Sequence, residues 1–303
     1  MTLVRSFDHM IKHLKNQAEV KRVAVVYGTD SHSEFALSKA IEAGFICAIM
    51  IGPKDKVETF PVFKKFPEAV SFIDVSDVDE AAQIAVELIQ KGEADVLMKG
   101  NINTDNLLRA VLNKQTGILP QGEVLTHLSV AEIPLYPKLL FFMDAAVIPY
   151  PTMEQRKKML KSMVYACQQF GIQEPKIGLI HFTEKVNEKF TNSTDYVELV
   201  KASKKGALGR VVLDGPLDIS TACNQEMALI KGIDSPLGGE ADGLMFSNID
   251  AGNVFYKTLV LFGQAEMAGV LLGPSCPVVV TSRADSGMSK FNSIAMACLI
   301  AER

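Results

Sequence analysis

Apolar and polar positions alternate along this chain in blocks. A compact β-branched run is followed by a short polar turn, and then by apolar residues at helical spacing. After an amphipathic first helix, Arg22 to Tyr27, Phe45 to Ile51, Phe72 to Val75 and Ala94 to Met98 read as strands. Between them the polar turn Gly28 to Ser33 opens a helix through Ala43 that Gly44 stops, and Val78 to Gln90 has the spacing of an amphipathic helix. Strands alternating with helices imply right-handed crossovers and a parallel sheet, so the N-terminal third is α/β.

The rhythm changes between Gly122 and Tyr150. Val124 to Ile133 and Leu139 to Ile148 are apolar runs separated by a segment too short for a helical crossover, which predicts an antiparallel pair and a domain boundary. Thr126, His127 and Asp144 interrupt these runs and are either hydrogen-bonded core residues or groups with a chemical role. A helix from Pro151/Thr152 to Phe170, strands at Lys176 to Phe182, Arg210 to Leu213 and Ala241 to Phe246, and helices at Thr194 to Lys204 and Thr221 to Lys231 resume the alternation. Ser247 to Asn253 end the strand before them and open a further helix containing Tyr256 and Lys257, and Ala268 to Leu272 leads to the last strand. The domains expected are 1–125 with 274–303, and 126–273.

Polar residues collect just after strands, where open α/β sheets bind ligands. The fourth strand ends in Lys99, Gly100 and Asn101; Lys99 faces the crevice or snorkels to the surface, Gly100 admits close backbone approach, and Thr104 can cap the next helix. The last strand, Pro277 to Thr281, ends in Ser282, Arg283, Asp285, Ser286, Ser289 and Lys290 around Gly287, before an apolar helical run from Ile294 to Ile300. Such a turn aims helix N–H groups at an anion, and a guanidinium at Arg283 would add two parallel donors. Arg283 and Asp285 also read as a solvated pair, and Ser289 as a helix N-cap.

Composition narrows the class. With 303 residues, 48% hydrophobic and 22% charged, the chain is globular and long enough for two cores. A net charge of −4, with Lys and Arg unclustered, gives a nucleic-acid role little support. The five cysteines, Cys47, Cys167, Cys223, Cys276 and Cys298, are scattered, with no CxxC or Cys/His cluster, and read as reduced thiols in a cytoplasm rather than a zinc site or disulfide framework. The N-terminus lacks a signal-peptide core, and no apolar run approaches the ~20 residues that span a bilayer, so neither export nor a membrane is expected. The first strand is followed by GTDSHS rather than GxGxxG, and GxxxxGK[ST], HExxH and GxSxG are absent.

Five segments, in order, resemble the phosphate acetyl/butyryltransferase family: ADVLMKGNINTDNLLRAVL at 94–112, LLFFMDAAVIPYPTMEQRKKML at 139–160, VLDGPLDISTA at 212–222, ADGLMFSNIDAGNVFYK at 241–257 and PVVVTSRADSGMSKFNSIA at 277–295. KGN followed by Thr, and SRADS with a downstream Lys, look more like the butyryl than the acetyl branch. The resemblance implies two α/β domains with a cleft between them, like the isocitrate and isopropylmalate dehydrogenases. It also implies the reversible reaction of acyl-CoA and phosphate to acyl phosphate and CoA, by direct transfer in a homodimer or larger homo-oligomer. CoA is then a substrate, and no tightly bound cofactor or metal is implied.

Carried onto this sequence, the resemblance puts Ser282 and Arg283 at the reacting phosphate, and Arg109 at CoA. Lys99, Gly100, Asn101, Ser286, Ser289 and Lys290 are the further phosphate-site candidates; Thr126, Asn253 and Lys257 are further candidates for CoA. The acetyl branch has an aspartate seven residues after the first serine of this turn, where this chain has Ser289, so the group that takes the thiol proton falls to Asp285 or Asp144. Both substrates held together would supply much of the acceleration, with preorganised donors for the tetrahedral oxyanion.

Overall fold

The computed structural model describes residues 2–17, 19–281 and 285–301. In chain order these form α1 (Phe7–Asn16), β1 (Lys21–Val26), α2 (Ser31–Glu42), β2 (Ile46–Gly52), α3 (Lys54–Val57), α4 (Pro61–Lys65), β3 (Val70–Asp74), α5 (Val78–Gln90), β4 (Val96–Lys99) and α6 (Thr104–Val111). There follow β5 (Thr126–Glu132), β6 (Leu140–Met143), α7 (Met153–Gln169), β7 (Lys176–Ile180), α8 (Thr191–Lys204), β8 (Val212–Leu217), α9 (Ile219–Cys223), α10 (Gln225–Ile230), β9 (Gly243–Met245), α11 (Ile249–Leu261), β10 (Glu266–Leu272), β11 (Val278–Val279) and α12 (Gly287–Ile300). The chain is α/β throughout, as the blocks of apolar residues imply.

Two compact units form, one from residues 7–125 with 267–301 and the other from 2–6 with 126–266. The sequence reading puts the return crossing at 273/274 and leaves the N-terminal residues in the first unit. The difference has local causes: β10 pairs antiparallel with β11 through Leu271 and Val278, and the Val4 N–H donates to the Phe170 carbonyl at 2.9 Å.

In the first unit the strands lie in the order β3-β2-β1-β4-β11-β10, parallel from β3 through β11. Val23 to Val26 have no exposed surface, because helices cover both faces of a parallel sheet. Asp30 caps α2 by accepting from the Ser33 N–H, and Asp77 caps α5 by accepting from Glu80 N–H. α12 is buried on every side from Lys290 to Ile300 and packs on α2 and α1. It begins at Gly287, a full two turns before the apolar run that announces it, because Ser286 rather than Ser289 is its N-cap. α6 likewise starts after Asn103, with Thr104 its first residue and no side-chain cap.

In the second unit the order is β5-β6-β9-β7-β8, with β5 and β6 antiparallel, as their short connection requires, and the rest parallel. Aromatic rings fill its core: Phe141 meets Phe170 edge-on at 5.0 Å and Phe142 meets Phe255 edge-on at 5.1 Å. A capping box joins Thr152 and Gln155 at the start of α7. The helix expected at Thr221 to Lys231 is divided into α9 and α10, because Asn224 leaves helical geometry and accepts from the Met227 N–H.

Candidate active site

β1, β4 and β11 are adjacent parallel strands, so their carboxyl ends bring three polar turns together. The turns after β1 and β4 touch through their backbones: Gly100 N–H donates to Val26 O at 2.8 Å and Asn101 N–H to Tyr27 O at 2.6 Å. A Cβ at residue 100 would lie 2.2 Å from the Tyr27 carbonyl oxygen. Glycine here therefore admits the neighbouring turn, not a ligand as expected from its position in sequence.

Where the turns meet is a pocket of about 230 Å³, lined by Asp30, Ser31, His32, Lys99, Gly100, Asn101, Thr281 and Lys290. That volume lies below the roughly 300–1,000 Å³ of sites for drug-sized ligands and suits a small anion. Lys99 and Lys290 are each only 6% exposed, which settles the choice for Lys99 between a snorkelling surface residue and a pocket residue. Burying two ammonium groups is unfavourable without compensating partners. Lys290 Nζ donates to Asp30 Oδ1 at 2.8 Å and to Ser33 Oγ at 3.0 Å, while Lys99 Nζ donates to the Gly100 carbonyl at 3.3 Å. For the Asp30 carboxyl, partial burial pushes its pKa up, but Lys290 and the Ser33 hydroxyl and N–H outweigh burial and hold it below the ordinary value.

Around α12 the expected residues take different parts. Ser286 Oγ accepts from the Ser289 N–H at 3.1 Å, and Lys290 N–H donates to Ser286 O, so these two N–H groups serve the helix and not an anion. Ser289 Oγ lies 3.2 Å from Ser286 Oγ, and Asp285 is half-buried. Ser282 and Arg283 lie outside the described residues. Arg109 sits in the last turn of α6 and is exposed beside Asp79 at 3.6 Å.

In the second unit Asp144 is 2% exposed and its carboxylate is enclosed by donors. Oδ2 accepts from Thr126 Oγ1 at 2.7 Å and His127 N–H at 3.0 Å; Oδ1 accepts from Ala146 N–H at 2.8 Å and Val147 N–H at 2.9 Å. All of the roughly four acceptor positions of a carboxylate are filled, which leaves none for a thiol proton and makes Asp144 a structural clamp rather than a base. Thr126, 1% exposed with its hydroxyl proton given to Asp144, is part of the clamp and not a surface for CoA. Asn253 donates from Nδ2 to Ala145 O at 3.0 Å, and Lys257 lies exposed, its Nζ 4.9 Å from the Tyr256 ring centre.

Residues of the β1–α2 turn, above all Asp30, escape the sequence reading as site residues because nothing local links them to Lys290, 260 positions away. Also unforeseen is a larger pocket, about 790 Å³, in the second unit, at the ends of β7, β8 and β9 and lined by His181, Phe182, Phe190, Ile219, Val254 and Phe255 among others. The only signal for it is the recurrence of aromatic residues just after strands.

The family described as Phosphate acetyl/butaryl transferase matches residues 74–298. This chain belongs to that family. It is therefore an enzyme of the phosphate acyltransferase class, as its five ordered segments imply. It is 37% identical over 302 residues to the phosphate butyryltransferase of Clostridium beijerinckii, covering 99% of both chains. To the phosphate acetyltransferase of Thermotoga maritima it is 34% identical, covering 93% of this chain and 95% of that one. Among solved structures, a branched-chain phosphotransacylase from Enterococcus faecalis V583 aligns with a TM-score of 0.83 at 28% identity, over 93% of this chain and 99% of that one. The mixed α/β fold with its sheet and flanking helices is thus that of a phosphotransacylase. Among the described residues, no helix is long and apolar enough to cross a membrane, and no group of three or more His, Cys, Asp or Glu is placed to hold a metal ion.

Proposed function

We propose that this member of the family is a phosphate butyryltransferase, converting acyl-CoA and phosphate reversibly to acyl phosphate and CoA, with butyryl or branched short acyl groups preferred. The observation that carries the reading is the full-length identity of 37% to a phosphate butyryltransferase. The pocket of the first unit supports it, since two buried ammonium groups within matched segments suit a phosphoryl group. In this reading Lys99, Lys290 and the Asn101 side chain hold phosphate, together with Ser282 and Arg283, while Gly100 lets the turn after β1 close the pocket wall and Ser286 and Ser289 shape the start of α12 beside it. Asp285 takes the role of proton acceptor for the CoA thiol. Arg109, Asn253 and Lys257, all exposed, bind CoA, whose phosphates match their charge and hydrogen-bonding groups.

Transfer is direct. Phosphate attacks the thioester carbon, donors stabilise the tetrahedral oxyanion, and the C–S bond breaks to release CoA. The protein acts in the cytoplasm as a homodimer or larger homo-oligomer, and its relation to the isocitrate and isopropylmalate dehydrogenases is one of fold alone. The relative from Thermotoga maritima favours an acetyl-preferring enzyme as the second reading.

One assay separates these readings: phosphate-dependent release of CoA from acetyl-, propionyl-, butyryl-, isobutyryl- and isovaleryl-CoA, followed with a thiol reagent. Release with the four- and five-carbon substrates, and none without phosphate, is the expected outcome. Preference for acetyl-CoA would select the second reading. Release that ignores phosphate would refute both.

A further inference from the structure

Asp30 is the only carboxylate among the described residues that line the pocket with Lys99 and Lys290. A carboxylate at the wall of an anion site repels the anion unless it accepts a proton from it. Asp30 has room to do so. Its Oδ1 accepts from Ser33 N–H at 2.9 Å and from Lys290 Nζ at 2.8 Å, and its Oδ2 from Ser33 Oγ at 2.6 Å. An ionised carboxylate offers about four acceptor positions, so among the described residues these donors leave one on Oδ2. Asp144 provides the contrast, with both oxygens filled.

Hydrogen phosphate carries one O–H, whereas sulfate and monofluorophosphate are dianions of the same tetrahedral shape with no proton to give. Against Asp30 the first meets an acceptor with a donor, and the other two bring lone pairs against lone pairs. We propose that Asp30 is a specificity-determining residue that selects hydrogen phosphate by accepting its P–O–H, while Lys99 and Lys290 hold the unprotonated oxygens. The inference rests on the phosphate acyltransferase reading of this pocket and adds how the anion is chosen and turned.

The chemistry balances. A C–O bond forms from an unprotonated phosphate oxygen, the C–S bond breaks, and the proton given up by the phosphate reaches the departing sulfur through Asp285, giving acyl phosphate and CoA thiol. By engaging the hydroxyl, Asp30 keeps it away from the acyl carbon and presents a nucleophilic oxygen instead.

Binding of inorganic phosphate, sulfate and monofluorophosphate to the full chain, measured by calorimetry at a pH where phosphate is the dianion, tests this without a variant. Phosphate should bind about 10- to 100-fold tighter than either other anion, the discrimination expected of one hydrogen bond to a charged group. Equal binding of phosphate and monofluorophosphate would overturn the proposal. Asn is a competent helix cap, so Asp30→Asn keeps α2 capped while its amide can turn a donor to the pocket. This variant should lose most of the preference, by weaker phosphate and tighter sulfate binding. A uniform loss for all three anions would mark Asp30 as merely structural and sink the idea. Selective phosphate binding without phosphate-dependent CoA release would instead count against the reaction and leave the anion selection standing.

Discussion

Two buried charged clusters, one in each unit, sit at strand ends and look alike on paper. In the first unit Lys99 and Lys290 reach a pocket, and Asp30 answers Lys290. In the second, Asp144 is as deeply buried, but its carboxylate is wrapped by Thr126, His127, Ala146 and Val147. Burial alone therefore does not mark a reaction site. What separates the two is capacity: among the described residues the first cluster lines space and retains an acceptor position, while the second has spent its hydrogen bonds on the fold.

The sharpest way to break this contrast is to remove one charge from each cluster. Lys290→Met should cut phosphate-dependent turnover by about 10²–10³-fold, the usual cost of losing one preorganised donor, while far-UV circular dichroism stays native. Turnover near normal would remove Lys290 from the site. Asp144→Ala should act on the other axis, lowering unfolding free energy in urea by roughly 3 kcal/mol as several buried donors lose their acceptor. If stability held and only turnover fell, Asp144 would belong to the chemistry after all.

A smaller effect sharpens the comparison through pH. Because the Asp30 carboxyl is held below its ordinary value by Lys290 and Ser33 despite the opposing effect of burial, its contribution to stability is complete above the ordinary Asp value of about 3.9. That contribution is lost as pH falls through the lowered folded value. Wild type should therefore lose thermal stability on acidification in this window more steeply than Asp30→Asn, the gap between them closing at the acid end. A gap that stays constant with pH would deny the ion pair its stabilising part.

Some of this could be read locally. The apolar spacing alone delimits α5 from Val78 to Gln90, because periodicity is a property of neighbouring residues, and the structure adds the Asp77 cap. The antiparallel turn between β5 and β6 was legible for the same reason. At the start of α12 local signals competed: Ser286 and Ser289 are both competent caps, and packing of Lys290 against Asp30 goes with the earlier start.

What the amino-acid order determined by itself was the α/β alternation, the strand-end position of the polar groups and the family, since each rests on residues near one another in sequence. The tertiary structure alone decided which of those groups meet. Asp30 and Lys290 pair across 260 residues, and Gly100 serves a neighbouring turn rather than a ligand. It also decided that Asp144 and Thr126 face each other instead of solvent. Hydrogen bonds of that kind depend on strand order and on what burial leaves unsatisfied, and neither quantity is written in a local pattern.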